Sequence, residues 1–235
     1  MWAKFKNRSY EPELLDNNNL EPGVLFKNLK EIAFINKWLG GDEVSIKGIK
    51  KLISGKKLKT LHVADIGCGS GDTLQLIGKW AVKNKIEPTL TGIDLKKECI
   101  DLCRETITSA TPVLFQSDYR LVNYKDLQPD IIHASLFLHH LDDSSIVEFL
   151  KTATQNSKMG VVINDLHRNG IAYYSIKWLT RLFPSSYLVR NDAPLSVWRA
   201  FSKKDLEKLC LKADITNLSI TWQWAFRWLV VIKTG

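Results

Sequence analysis

The sequence lacks the features that would place the protein in a membrane, outside the cell or around a metal. No apolar run within its 235 residues reaches the ~20 residues that a membrane-spanning helix needs. The basic N-terminus has no apolar core followed by a small-residue cleavage site, which predicts that there is no signal peptide. The cysteines follow neither a zinc-ribbon nor a disulfide spacing: Cys68, Cys99, Cys103 and Cys210. We therefore expect reduced thiols, a cytoplasmic location and no metal site.

The composition is that of a folded globular domain with a basic surface. A hydrophobic content of 45% is enough for a sizeable core, and 235 residues fit one large domain with decorations. The net charge is +8, but the lysines are scattered apart from a cluster between Lys47 and Lys59. This pattern favours a solvated surface over a dedicated nucleic-acid site, so we expect no nucleic-acid partner.

Helical and strand-like segments alternate along the chain. Residues 20–39 have an apolar stripe at helical spacing, and Asn36 falls on that stripe. Short apolar runs predict five buried strands, at residues 61–66, 89–93, 112–115, 129–134 and 160–164. Two further strands, at residues 214–222 and 226–233, are so close that they must form an antiparallel hairpin. We expect a doubly wound, mostly parallel seven-stranded sheet with an antiparallel last strand.

The segment between the fifth strand and the last helix fits no β–α unit. We divide the chain into an N-terminal helical cap, residues 1–60, and an α/β domain, residues 61–235, in which residues 166–200 form a helical lid. Four large side chains fall on one helical face of this lid: Ile171, Tyr174, Trp178 and Leu182. We expect Tyr174 and Trp178 to contact an apolar substrate, although the same helix could rest on a membrane surface.

A glycine loop is the most informative motif. The run Val63-Ala-Asp-Ile-Gly-Cys-Gly-Ser-Gly71 leads from a buried strand into a helix, whose N-terminus can accept an anionic group. A dinucleotide-binding loop would need its third glycine one position later, where this sequence has Asp72. An acid there would repel a pyrophosphate, which argues against a dinucleotide-binding loop.

Acidic and small polar residues follow the next strands. Asp94 ends the second strand at the distance where an acid can accept hydrogen bonds from ribose hydroxyls. Ser117 and Asp118 end the third strand, and Ser135 follows the fourth. Because the carboxyl ends of parallel strands meet at one edge, we expect these residues to share one binding crevice.

The acidic-x-Gly-x-Gly-x-Gly pattern is similar to motif I of class I S-adenosylmethionine-dependent methyltransferases, and residues 134–141 resemble their motif IV. The resemblance implies a Rossmann-like methyltransferase fold and S-adenosylmethionine as cofactor. It assigns the loop to the amino-acid end of the cofactor and Asp118 to the adenine amino group. The cofactor-binding residues that follow are Asp65, Gly67, Cys68, Gly69, Gly71, Asp94, Leu95, Ser117, Asp118 and Ser135.

Less specific segments resemble small-molecule methyltransferases associated with type III polyketide synthases. They are Glu13-Leu-Leu-Asp16, Ile35-Asn-Lys-Trp-Leu-Gly-Gly41, Asn164-Asp-Leu-His-Arg168 and Arg190-Asn-Asp-Ala-Pro-Leu-Ser-Val-Trp-Arg199. One departure is Ala193, where the pattern leads us to expect glycine in a turn. The resemblance implies an acceptor that is a small, aromatic and apolar molecule.

Methylation of a phenol needs a base, because a phenol is mostly protonated at neutral pH. His140 and His167 follow the fourth and fifth strands on the ligand side, and either could be that base. Asn36, His139 and Arg168 are further candidates for contacts with the acceptor. Methylation of an oxygen is the leading hypothesis. C-methylation of a quinone precursor, RNA methylation and a binding protein without catalysis are the alternatives.

Overall fold

The computed structural model describes residues 2–17, 20–182 and 185–234. Residues 183 and 184 of the predicted lid lie outside this part of the chain. The α-helices are α1 (Pro22–Trp38), α2 (Gly41–Ile53), α3 (Asp72–Lys83), α4 (Lys97–Thr106), α5 (Tyr124–Leu127), α6 (Asp143–Asn156), α7 (Gly170–Leu182), α8 (Tyr187–Arg199) and α9 (Lys203–Lys212). The strands are β1 (Thr60–Ile66), β2 (Glu87–Asp94), β3 (Val113–Gln116), β4 (Ile131–Ser135), β5 (Gly160–Leu166), β6 (Leu218–Gln223) and β7 (Arg227–Lys233). Short 3₁₀ helices span Trp2–Lys6, Leu14–Asp16, Tyr119–Leu121 and Leu138–His140.

The strands form one twisted, mixed sheet in the order β3-β2-β1-β4-β5-β7-β6. Strands β1 to β5 are parallel to one another, whereas β7 runs antiparallel to both β5 and β6. In this register Asp165 at the end of β5 lies opposite Trp228 of β7. The predicted seven-stranded sheet with its antiparallel last strand is confirmed.

Local sequence signals explain where several helices begin. Asp142 caps α6, because its side chain accepts a hydrogen bond from the Ser145 amide at 2.7 Å. Ser202 and Asp205 form a reciprocal capping box at the start of α9. Between α1 and α2, Gly40 adopts a left-handed conformation with φ +69°, which a side chain would disfavour. The predicted end of the first helix at the Gly40–Gly41 pair is therefore found.

The sheet is covered on both faces. On one face, α6 and α9 pack against the strands through buried side chains such as Phe149 and Leu206. On the other face, α2 and α3 contribute Ile49 and Leu74. Helix α2 contacts β5 and β7 directly, so it belongs to this second layer. The division of the chain at residue 60 stays a prediction.

The predicted lid contains α7 and α8, which pack against each other. Ala193 lies inside α8 and not in a turn, and alanine suits a helix interior better than the expected glycine. None of the helices in the described residues combines the length and the apolar character needed to cross a bilayer. All four cysteines are buried and free.

The packing of α6 generates the first prediction. Phe149→Ala should lower the free energy of unfolding by about 3–5 kcal/mol, because it removes a fully buried ring and leaves a cavity. Phe34→Ala is the matched control, since the Phe34 side chain on α1 is 69% exposed and should cost less than about 1 kcal/mol. Urea unfolding of both variants tests this packing, and equal losses would contradict it.

Candidate functional site

A cavity of about 770 Å³ lies at the carboxyl ends of the parallel strands. This is the edge where open α/β sheets bind their ligands, and the volume is typical of a small-molecule site. The loop after β1 and the ends of β2 and β4 form one side of the cavity. The other side is built from α1, the lid helices, the 3₁₀ helices at Leu14–Asp16 and Leu138–His140, and the turn between β6 and β7.

The glycine loop lies at the first side. The amide of Gly67 donates to the Ile93 carbonyl at 2.8 Å, which ties the loop to the end of β2. Gly69 has φ +52°, and a Cβ at this position would meet no atom within 4 Å. The backbone at Gly69 is therefore open to a ligand. Gly71 differs, because its Cβ would lie 2.7 Å from the Cys103 sulfur and the residue does not line the cavity.

Asp94 lies beside the loop and has capacity for further hydrogen bonds. Its two carboxylate oxygens accept from the amides of Gly69 and Lys96, each at 3.0 Å. Burial nevertheless raises the pKa of Asp94, which indicates that additional donors would be needed to stabilise its charge fully. Nearby, the buried hydroxyl of Ser135 has no hydrogen-bond partner among the described residues, and Leu95 is exposed at the rim.

Two other predicted cofactor residues line the cavity but already have partners. The Nδ1 atom of His133 lies 2.6 Å from an oxygen of Asp65, and both side chains are buried. The guanidinium of Arg120 donates to both oxygens of Asp118. Ser117 and Cys68 also line the cavity, as predicted for cofactor contacts.

Asn36 lies in the cavity wall, but its side-chain amide forms hydrogen bonds with buried protein groups. Its nitrogen donates to Asp42, and its oxygen accepts from the Arg227 guanidinium at 2.5 Å. Arg227 also donates to Asn164 at 3.2 Å, and burial lowers the pKa of the guanidinium to about 10. Asn36 therefore positions Arg227, and both polar atoms of its side chain already have protein partners.

The second side of the cavity carries a group of titratable side chains, Glu13, His139 and His140, which we call the His–Glu cluster. His139 Nδ1 lies 2.7 Å from Asp165, and His140 Nδ1 lies 3.0 Å from Asp16. The two imidazole rings are adjacent, with centroids 4.3 Å apart. His139 Nε2 lies 3.8 Å from a Glu13 oxygen, and burial raises the pKa of Glu13 to about 6.

The buried guanidinium of Arg199 holds the cluster together. Its Nε donates to the His139 carbonyl at 3.0 Å and one terminal nitrogen donates to the His140 carbonyl at 2.9 Å. The other terminal nitrogen donates to the Glu11 carbonyl at 3.0 Å and to Asp16 at 2.9 Å. One side chain of α8 thus joins the N-terminal segment to the segment that follows β4.

The structure does not bring two of the predicted polar residues to the cavity. His167 packs its ring against Trp228, with centroids 4.9 Å apart, and burial lowers its pKa. Arg168 is buried, and it donates to the carbonyls of Phe5 and Ala200. These residues follow β5 on the ligand side, but their side chains bind the N-terminal segment and the hairpin instead of lining the cavity.

The lid presents a different face from the one expected. Trp178 points outward and is 63% exposed. Ile171 and Leu182 on the same helix are also exposed, and none of the three side chains lines the cavity. Tyr174 packs against Phe5, with ring centroids 6.3 Å apart. The cavity wall is formed by the adjacent face of α7: Ala172, Ser175, Ile176 and Leu179.

Sequence reasoning missed most of the carboxylates and the arginine that organise the second side. In the sequence, Glu13, Asp16 and Asp165 stand out only as members of the family-like segments. Arg199 lies 183 positions after Asp16 in the chain. These four residues share one feature in the sequence, since all of them lie in the family-like segments. That feature does not show which of them are in contact.

The Arg199 contacts generate the second prediction. Arg199→Met should lower the free energy of unfolding by about 3–5 kcal/mol, because it leaves buried carboxylate and carbonyl groups without their donor. Arg190→Met on the same helix is the control, since Arg190 is exposed and its loss should cost less than about 1 kcal/mol. Urea unfolding measures both. A loss for Arg199→Met no larger than that for Arg190→Met would show that the guanidinium is not structural.

Sequence comparison identifies a known domain in this chain. Residues 63–160 match the family described as Methyltransferase domain. The chain is also 26% identical over 149 residues to a Bacillus subtilis (strain 168) protein named "Putative methyltransferase YqeM". That alignment covers 61% of this chain, and it spans only 55% of the length of the relative.

Solved structures share the fold. The plantazolicin methyltransferase BpumL in complex with SAH superposes with a TM-score of 0.68 at 14% identity, covering 93% of this chain and 91% of that one. The magnesium protoporphyrin IX methyltransferase ChlM from Synechocystis PCC 6803, with bound SAH, gives a TM-score of 0.56 at 13% identity, covering 86% of this chain and 87% of that one. Residues 63–160 therefore match a methyltransferase domain, and the chain has the Rossmann-like methyltransferase fold.

Proposed function

We propose that this protein transfers a methyl group from S-adenosylmethionine to an oxygen of a small phenolic or polyketide-derived molecule. One observation carries the proposal. A single cavity joins the glycine loop and Asp94 at one side to two histidines and an apolar lid at the other. A cofactor and an acceptor can therefore lie against each other away from bulk water, as methyl transfer requires.

The residues at the first side fit S-adenosylmethionine. The open backbone at Gly69 and the α3 N-terminus suit the carboxylate of an amino-acid group. Asp94 would hold the ribose hydroxyls, and the unpartnered Ser135 hydroxyl would take a further polar group. When bound, the cofactor supplies an electrophilic methyl group on a sulfonium. The Asp72 carboxylate beside the loop disfavours a pyrophosphate there, which argues against a dinucleotide.

The residues at the second side fit an apolar acceptor with an ionisable oxygen. Ile176, Leu179 and Val197 from the lid give the wall its apolar character. His140, predicted as a candidate base, lines this part of the cavity together with His139. Because a carboxylate holds Nδ1 of each ring, Nε2 is the nitrogen that remains to accept a proton from an acceptor hydroxyl.

The comparisons support a small-molecule acceptor without naming it. Two structural neighbours are named as methyltransferases of plantazolicin and of magnesium protoporphyrin IX, which are small molecules. The assignment to phenolic, polyketide-derived acceptors rests on the family-like segments of the sequence. The aromatic character of the acceptor, the cytoplasmic location and contact of the lid with a membrane stay predictions.

The cofactor assignment can be tested with one carboxylate. Asp94→Asn should weaken binding of S-adenosylhomocysteine roughly ten- to hundredfold, because it removes a charge-assisted hydrogen bond worth about 1.5–3 kcal/mol. Asp101→Asn is the matched control, since Asp101 lies on the exposed face of α4 and pairs there with Lys97 and Arg104. Titration calorimetry measures both. Unchanged affinity in a folded Asp94→Asn protein would refute the ribose assignment.

The acceptor site can be tested on the two faces of α7. Leu179→Ala should raise KM for a long-chain alkylphenol at least about fivefold while the affinity for S-adenosylhomocysteine is unchanged, because Leu179 lines the cavity. Trp178→Ala is the control and should leave both quantities unchanged, since its side chain points outward. Transfer of labelled methyl groups gives the kinetics.

Analysis of the product by mass spectrometry and NMR then identifies the methylated atom. A methoxy group is expected. Methylation of carbon, or of added RNA in preference to the phenols, would overturn the proposed acceptor class. Equal effects of the two α7 variants would show that the lid does not contact the acceptor.

A further inference from the structure

The His–Glu cluster has the composition and geometry of a metal-binding site. We propose that Glu13, His139 and His140 bind one divalent first-row transition-metal ion of the Zn²⁺ type, at the acceptor side of the cavity. Their three ligand atoms all lie within 4.8 Å of one another, and the side chains line the same cavity. The sequence predicted no metal, because Glu13 lies more than a hundred residues from the two histidines.

The surroundings of both imidazoles support this inference. Asp165 holds Nδ1 of His139, and Asp16 holds Nδ1 of His140. In metal sites, a histidine ligand almost always donates its second ring N–H to a carboxylate or carbonyl, which fixes the tautomer and leaves the other nitrogen as the ligand. Here the same arrangement occurs twice on adjacent rings, and it leaves Nε2 of each ring as the donor atom.

The charge around the cluster also favours a cation. Three carboxylates lie within 4 Å of the two imidazoles: those of Glu13, Asp16 and Asp165. Two buried guanidinium groups oppose them, because Arg199 lies within 4 Å of Glu13 and Asp16, and Arg227 acts on Asp165. When both imidazoles are neutral, as metal ligands must be, one negative charge remains. A divalent ion would offset this charge, which is costly at the buried Glu13 and Asp165.

The existing hydrogen bonds leave Glu13 able to act as a ligand. The Arg199 Nε atom lies 3.9 Å from the Glu13 oxygen, because this nitrogen donates to the His139 carbonyl instead. Ser196 donates to that Glu13 oxygen at 2.8 Å. Two imidazoles and one carboxylate are an established ligand set for catalytic zinc. Ligand atoms around tetrahedral zinc lie roughly 3.3 Å apart, so the 3.8 Å between Glu13 and His139 needs only a small closure.

A metal with three protein ligands keeps an open position, and all three proposed ligands line the cavity. An acceptor hydroxyl bound there would release its proton to water more easily, because a metal ion lowers the pKa of the oxygen that it binds. In the metal-loaded protein, the ion would therefore replace the imidazoles as the group that activates the acceptor. This role rests on the proposed function, whereas metal binding itself does not.

The test uses the full chain, freed of metal with EDTA and titrated with Co²⁺ and then with Zn²⁺. We expect one equivalent of Co²⁺ per chain, with visible absorption bands of a low-coordination site that Zn²⁺ abolishes. His139→Ala should lose this site. Asp16→Asn should weaken Co²⁺ binding about 10–100-fold, as expected for a residue that orients a ligand. His167→Ala is the control and should bind Co²⁺ like the wild type, since this histidine lies outside the cavity.

The outcomes separate the metal site from the proposed function. Failure of the wild type to bind one equivalent, or equal binding by His139→Ala and His167→Ala, would overturn the metal site. If His139→Ala does not fold, His140→Ala replaces it, because His140 is the less buried of the two histidines. Methyl transfer by a wild-type protein that binds no Co²⁺ would overturn the metal site alone. Stoichiometric Co²⁺ binding without methyl transfer to any phenol would overturn only the proposed function.

Discussion

The second half of the site depends on one buried guanidinium. A planar arginine side chain offers five N–H donors in a fixed arrangement, and Arg199 directs them to three carbonyl groups and a carboxylate. Arg199 thereby holds the segment around Glu13 beside His139 and His140. Asp192, two turns before Arg199 on α8, supports the same segment by accepting from two of its amides. The lid is therefore also the scaffold of the cluster.

Beneath the site, a buried polar network ties the cavity floor to the sheet. Asp65, His133 and Ser45 form one continuous run of hydrogen bonds, and Asn164 joins it through its amide nitrogen. Because a buried polar group is costly unless it is hydrogen-bonded, every member depends on the others. This explains why residues that line a cavity are not all free for a ligand. The first side of the site is thus tied to the sheet by hydrogen bonds, whereas the second side is assembled from distant segments.

The sequence was sufficient for the parts that are local in the chain. The glycine loop and Asp94 could be placed because each follows its own strand, and the strands follow one another around the sheet. The orientation of α7 could not be predicted, because the helix has apolar residues on two adjacent faces. Periodicity alone does not say which of these faces packs inward. His167 was misplaced for a related reason, since a position after a strand does not fix where the side chain points. Contacts such as Arg199 with Asp16 depend on tertiary structure throughout.

The position of β7 has a consequence for folding of the chain during translation. β7 is the last strand of the described chain, yet it lies inside the sheet between β5 and β6. Until it has emerged, β5 has a row of unpaired peptide groups, which is a template for association with other chains. Arg227, the first residue of β7, also completes the cavity wall. Before β7 has emerged, the nascent chain therefore has neither a complete sheet nor a finished cavity, and the exposed edge of β5 is the surface that a chaperone would have to shield.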